Sequence, residues 1–156
     1  MKSVYKGLAY LVAIGVAVQA MAIVFAIAGL SKWIEGGGRL DKSVDLGHGH
    51  PFTETLGLDV HAVNGTLIIP AIALLLVISS FFAKVPGGIK WAGLVMLLVA
   101  VQVGLGLSAD AAPALGALHG LNALMLFTAA IYAGLRVGRA AARSATQTHE
   151  RQVTPV

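Results

Sequence analysis

Long apolar segments separated by short polar stretches dominate this chain. Four segments, at residues 6–31, 58–83, 89–108 and 112–138, each carry a single charged side chain, which lies close to an end of the segment. A membrane-spanning α-helix needs about 20 apolar residues, so each segment is long enough to cross a bilayer. The pattern predicts an all-α integral membrane protein, a four-helix bundle with helices running alternately up and down.

Composition supports this class, because 57% of the 156 residues are hydrophobic, only 12% are charged and the mean hydropathy is +0.83. A soluble domain of this size does not need so much apolar surface. We therefore expect one transmembrane domain at residues 1–139 with an extracytoplasmic loop at 32–57. Residues 140–156 are polar and are predicted to form a disordered cytoplasmic tail.

The distribution of basic residues predicts the orientation of the bundle, because cytoplasmic loops carry an excess of Lys and Arg. Both termini and the turn between the second and third helices hold eight basic residues, against three in the long loop. Both termini are therefore predicted to be cytoplasmic, in a multi-pass protein of the cell membrane, with a bacterial cytoplasmic membrane as the expected location. The same asymmetry explains the +4 net charge without a nucleic-acid partner.

Two short patterns occur twice in the same order. Residues 16–19 and 99–102 both read Val-Ala-Val-Gln, and each precedes a segment that opens with an H-x-x-N motif. The order of the matches predicts two helix-pair repeats. The polar members are Gln19, His61 and Asn64 in the first copy and Gln102, His119 and Asn122 in the second.

The two histidines are candidate axial ligands of one b-type haem. They lie roughly 5 Å and 10 Å below the outer ends of the second and fourth helices, at 1.5 Å per residue. These helices are diagonal in an up-down bundle, so His61 and His119 are expected to face each other near the extracytoplasmic side. The candidate partners and packing residues are Asn64, Asn122, Gln19, Gln102, Gly65 and Gly120, with further space at Gly104, Gly106 and Gly116.

Iron with both axial positions filled suits electron transfer better than oxygen activation, so a stand-alone enzyme is not the favoured interpretation. The expected partners are the lipid bilayer and either a quinone or a redox protein, and the chain is a candidate homo-oligomer or subunit of a larger complex. One alternative is haem sensing or handling. Another is a haem-free structural or accessory subunit, in which His and Asn only hydrogen-bond the helices together.

A second, weaker candidate lies in the outer loop, where His48 and His50 are followed by Glu54 and Asp59. Two histidines with nearby carboxylates suit Cu(II) or Zn(II), although the same residues are typical of a solvated loop. The chain has no Cys, which excludes disulfides, thiolate metal sites and covalent haem attachment.

The residues that open the second and fourth helices, Leu58-Asp59-Val60-His61 and Leu118-His119-Gly120, resemble one four-helix half of the haem A synthase family. That family consists of two such bundles in tandem, each with a histidine pair on its second and fourth helices. The resemblance implies a bis-histidine haem scaffold. It does not extend to that family's extracytoplasmic cysteine pair, or to its glutamate three residues before the first histidine, where this chain has Leu58. The chain also resembles a family of small four-span bacterial membrane proteins of uncharacterised function.

Overall fold

The computed structural model of the chain describes residues 1–41, 44–45 and 49–153, with side chains as far as Gly138. Every regular element in these ranges is helical, and none is a strand. The helices are α1 Lys2–Glu35, α2 Leu56–Val63, α3 Ile69–Ala83, α4 Gly88–Leu107 and α5 Pro113–Val153, with short 3-10 turns at Thr53–Thr55 and Ala109–Ala111 and a π-turn at Asn64–Ile68. The all-α class predicted from the sequence is confirmed.

Four helical stretches within the described residues are long and apolar enough to cross a membrane. They are Lys2–Glu35, Thr53–Ala83, Gly88–Leu107 and Pro113–Gly138. Large apolar side chains remain exposed along them, such as Met21 at 72%, Phe81 at 61% and Leu124 at 67%. Exposed apolar surface on this scale is uncommon on a soluble monomer, so the fold is compatible with a multi-pass membrane protein.

Helix α1 is longer than the predicted 6–31 and ends at the three glycines after Glu35. Gly37 has φ +98°, a conformation that glycine adopts without a steric penalty. Its N–H donates to the carbonyl of Ile34, and the N–H of Gly38 donates to the carbonyl of Trp33. These two bonds form a Schellman motif, which satisfies carbonyl groups left over at the helix end.

The second apolar stretch is interrupted before Pro70. Proline has no N–H, so it cannot donate to the carbonyl four residues earlier. The chain widens into the π-turn Asn64–Ile68, and the N–H of Ile69 donates to the carbonyl of Asn64 five residues back. A proline inside an apolar segment predicts a bend from the sequence alone, and the structure shows this π-turn immediately ahead of Ile69. Single π-turns inside α-helices occur frequently at functional sites.

Contacts divide the chain into two compact units, residues 14–69 and residues 1–13 together with those from Pro70 onward. In the first unit, α2 packs closely on the second part of α1. Gly57 lies against the main-chain carbonyl of Ala22, where a Cβ would overlap it. The close approach explains why residue 57 has no side chain.

In the other unit, α4 and α5 pack along each other, and the 3-10 turn at Ala109–Ala111 joins them. Its core includes Tyr5, Leu76, Val95, Val99 and Leu126, all of which are buried. The hydroxyl of Tyr5 donates to the carbonyl of Gly88 at 3.1 Å, so the start of α1 is attached to the start of α4.

The last helix continues to Val153, whereas the sequence predicted its end near 138 and a disordered tail after it. Between Gly138 and Pro155 the chain has no Gly or Pro and is rich in Ala and Arg, which favour helix. This composition is the physical reason for the difference. Residues 154–156, the end of the predicted tail, lie outside the described residues.

Candidate functional site

His119 is held by the residue that the repeat pattern pairs with it. Its Nδ1 lies 3.0 Å from the main-chain carbonyl oxygen of Gln102, and its Nε2 lies 3.0 Å from the side-chain nitrogen of the same residue. The side-chain oxygen of Gln102 accepts a hydrogen bond from Asn122 at 2.6 Å. Asn122 also donates to the carbonyl of Leu98 at 2.9 Å and is 6% exposed.

The positions of the protons in this network follow from its two ends, because main-chain carbonyls only accept. The carbonyl of Gln102 requires a proton on Nδ1 of His119, and the carbonyl of Leu98 requires the amide nitrogen of Asn122. Asn122 therefore faces the oxygen of the Gln102 side chain, whose NH₂ group must then point to Nε2. This assignment leaves a neutral imidazole with its lone pair on Nε2, accepting from Gln102.

His61 has the same main-chain partner in the first motif. Its Nδ1 lies 3.2 Å from the carbonyl oxygen of Gln19, which again requires a proton on Nδ1. Asn64, 7% exposed, donates to the carbonyl of Gly15 at 3.0 Å. The neutral form of His61 therefore also carries its lone pair on Nε2.

The two motifs share one register. In each, the histidine donates to the carbonyl of the glutamine, and the asparagine donates to the carbonyl four residues before that glutamine. Residues four apart lie on one face of a helix, so each H-x-x-N motif lies along one face of the preceding apolar segment. The identical tetrapeptides at 16–19 and 99–102 are thus placed identically against their motifs.

The sequence named the asparagines as candidate acceptors for the second ring N–H, with the two glutamines as further candidates. In both motifs the ring N–H is bonded to a main-chain carbonyl of the glutamine, and the asparagine side chain donates elsewhere. The partner of each ring N–H is therefore the main chain of a glutamine and not the asparagine side chain that the sequence favoured. Every residue has a carbonyl, so a main-chain acceptor has no signature of its own.

The glutamine side chains differ between the motifs. The side-chain nitrogen of Gln19 lies over Gly65, where a Cβ would collide with it. Its side-chain oxygen is buried and has no hydrogen-bond partner in the described part of the chain. Gly106 lies beside the ring of His119, with its hypothetical Cβ 3.0 Å from Cε1, whereas Gly120 faces open space.

The structure brings two residues of the candidate metal site in the outer loop, His50 and Asp59, close together. Nδ1 of His50 lies 3.1 Å from the hydroxyl of Thr55, and Nε2 lies 3.6 Å from a carboxylate oxygen of Asp59. His48 lies outside the described residues. Among those that are described, no group of three or more His, Asp or Glu side chains could hold a metal ion.

An apolar groove that the sequence did not suggest runs along α4 and α5, with a volume of 470 Å³. The rings of Trp91 and Tyr132 line it and pack against each other in a tilted arrangement, with centroids 4.3 Å apart. Leu98 also lines it, and the carbonyl of this residue accepts from Asn122. The groove therefore borders the hydrogen-bond network of His119.

Compared with known proteins, the chain matches no family model, no curated protein and no solved structure. The resemblance to haem A synthase therefore remains one of motifs, and functional inference depends on the histidine networks themselves.

Proposed function

We propose that this chain is a membrane-embedded haem protein in which His61 and His119 are the axial ligands of one b-type haem. The observation that supports this function is shared by both motifs. Each imidazole directs its Nδ1 to a main-chain carbonyl of the preceding apolar helix. A ring held in this way keeps its lone pair on Nε2, the nitrogen that metal-bound histidines commonly use.

The hydrogen bond at Nδ1 has two consequences for ligation. It fixes the orientation of the ring, and it makes the ligating nitrogen more basic. It also selects the tautomer of the neutral ring whose lone pair is on Nε2, and neutral imidazole is the form that binds metal. A structural role needs one hydrogen bond per ring but does not need the same nitrogen in both copies.

The surroundings of the rings also fit a planar prosthetic group. Gly120 faces open space, so room for such a group remains beside the second motif, whereas the Cβ positions of Gly65 and Gly106 lie against the Gln19 amide and the His119 ring.

Bound haem would supply one-electron chemistry. The chain itself would hold the two imidazoles in fixed orientation and would keep both axial positions filled. We propose electron transfer on that ground, with a membrane quinone or an extracytoplasmic redox protein as the partner. Haem sensing or handling requires one ligand to leave readily.

The competing function is a haem-free structural or accessory subunit, and one observation favours it. Both ring nitrogens of His119 already have partners in Gln102, so this side chain is satisfied without a metal. Interhelical bonds of this type stabilise membrane helices by about 0.6 kcal/mol each on average.

The proposed orientation has both termini in the cytoplasm, with the histidines toward the outer side. Reporter fusions after Ser108 should then report the extracytoplasmic side, and fusions after Lys84 and at the C-terminus should report the cytoplasm. A C-terminus found outside would overturn the orientation.

The experiment that decides between haem and no haem is a reduced-minus-oxidised absorption spectrum of detergent-purified protein, with haem quantified as its pyridine complex. The proposed function predicts one haem per chain and a low-spin spectrum. A protein that stays colourless after expression with ample haem supports the structural alternative.

A further inference from the structure

The side chain of Gln102 is hydrogen-bonded to Nε2 of His119, the atom that the proposed function requires as an iron ligand. Its NH₂ group lies 3.0 Å from Nε2, and its oxygen accepts from Asn122. One lone pair cannot serve an amide proton and an iron ion together. The amide of Gln102 and the iron therefore compete for the same nitrogen.

We infer that Gln102 controls ligation at His119, by holding Nε2 in the haem-free protein and rotating away when iron binds. The inference rests on the proposed function. It makes Gln102 a positioning residue with opposite effects at the two ring nitrogens, because its main chain prepares the ring for ligation while its side chain opposes ligation.

The rest of the network allows this exchange. When the Gln102 amide leaves, Nδ1 of His119 keeps its bond to the main-chain carbonyl, so the ring keeps its orientation and tautomer. Asn122 loses one acceptor but keeps the carbonyl of Leu98. The rearrangement therefore breaks two side-chain hydrogen bonds and leaves both main-chain bonds of the network intact.

The first motif provides the matched comparison. The side-chain nitrogen of Gln19 lies over Gly65, and its oxygen has no partner in the described part of the chain. The oxygen of Gln19 therefore does not accept from Asn64, whereas the oxygen of Gln102 accepts from Asn122. The two positions carry the same amino acid in the same tetrapeptide, so Gln19→Leu is the matched control for the loss of a glutamine side chain.

The test is a titration of haem-free protein in detergent with ferric haem, for the unchanged chain, Gln102→Leu and Gln19→Leu. A net hydrogen bond corresponds to a factor of roughly 2 to 12 in an equilibrium constant. With two bonds relieved, Gln102→Leu should bind haem about tenfold more tightly, whereas Gln19→Leu should stay within about twofold of the unchanged chain. Equal or weaker binding by Gln102→Leu would overturn the inference. If Gln102→Leu does not fold, Gln102→Asn retracts the amide by one methylene and should change affinity in the same direction.

A second measurement separates failure of this inference from failure of the proposed function. In haem-free protein with ¹⁵N-labelled histidine, Gln102→Leu should shift the Nε2 resonance of His119, and Gln19→Leu should leave it in place. An unshifted resonance shows that Gln102 does not hold Nε2. A shifted resonance with no haem binding by any variant refutes the haem function, and control of iron ligation with it. Haem binding that Gln102→Leu does not strengthen refutes the inference alone.

Discussion

Gln19 and Gln102 occupy the same place in the two motifs, and their main-chain carbonyls accept from His61 and His119 alike. Their side chains behave differently. Gln102 bonds both the histidine and the asparagine of its motif, whereas the side-chain oxygen of Gln19 has no partner among the described residues. A repeat in sequence has therefore produced a repeat in main-chain contacts, but not in side-chain contacts.

The two motifs differ at the residue four positions after the histidine. In the first motif it is Gly65, whose missing Cβ leaves the space that the Gln19 amide occupies. In the second motif it is Ala123, which has a Cβ. The first motif also passes into the π-turn at Asn64, whereas α5 is a continuous α-helix. The Gln19 amide therefore occupies a position that a Cβ at residue 65 would exclude.

The largest expected effect comes from the histidines, where the two motifs should behave alike. Replacing His61 or His119 with Ala removes one axial ligand, so either variant should lose the low-spin bis-histidine spectrum. The reduced-minus-oxidised spectrum of each purified variant measures this. A low-spin spectrum that survives both substitutions would support haem binding but would refute His61 and His119 as the ligands. A loss in one variant only would mean that the motifs do not share a role.

Replacing the asparagines should have a smaller effect, and the effect on stability should differ between the two motifs. Asn122 donates two side-chain bonds and Asn64 donates one. At about 0.6 kcal/mol per bond, Asn122→Leu should lower the free energy of unfolding by roughly 1–2 kcal/mol and Asn64→Leu by about 0.6 kcal/mol. Unfolding in mixed micelles gives both values. Equal losses would show that the bond between Asn122 and Gln102 contributes nothing.

A single methyl group should make the first motif resemble the second. In Gly65→Ala the new Cβ displaces the amide of Gln19, which then has His61 and Asn64 within its motif as partners. If the amide binds Nε2 of His61, haem affinity should fall about fivefold, the equivalent of one hydrogen bond. Haem titration measures this, with Gly93→Ala as the control because a Cβ at residue 93 meets open space and this residue has no proposed role at the haem. A similar loss in both variants would indicate general damage to helix packing.

The smallest effect is expected in the outer loop. His50 has Thr55 and Asp59 as neighbours, and no described group of three ligands surrounds it. Replacing His48 and His50 together with Ala should therefore leave haem content and folding unchanged. Haem loss in this double variant would indicate that the iron ligands lie in the loop and not in the two motifs.

The sequence by itself determined the features that depend on short stretches of chain. Four apolar runs of sufficient length predicted four helices that are long enough to span a membrane, and the three glycines after Glu35 predicted the end of α1. The order of the tetrapeptides and the H-x-x-N motifs also identified the residues that meet around each histidine. Helix ends were less certain, because caps and turns extended α1 at both ends and helix-favouring residues continued α5 to Val153.

Only the tertiary structure decided which atoms of these residues bond. The acceptor for each ring is a main-chain carbonyl, and its choice depends on how far one helix is rotated and shifted against the next. The position of the Gln19 amide depends on the space at Gly65, which lies far away in sequence. Such choices depend on distances between packed helices, and a pattern of residue types along one chain does not contain those distances.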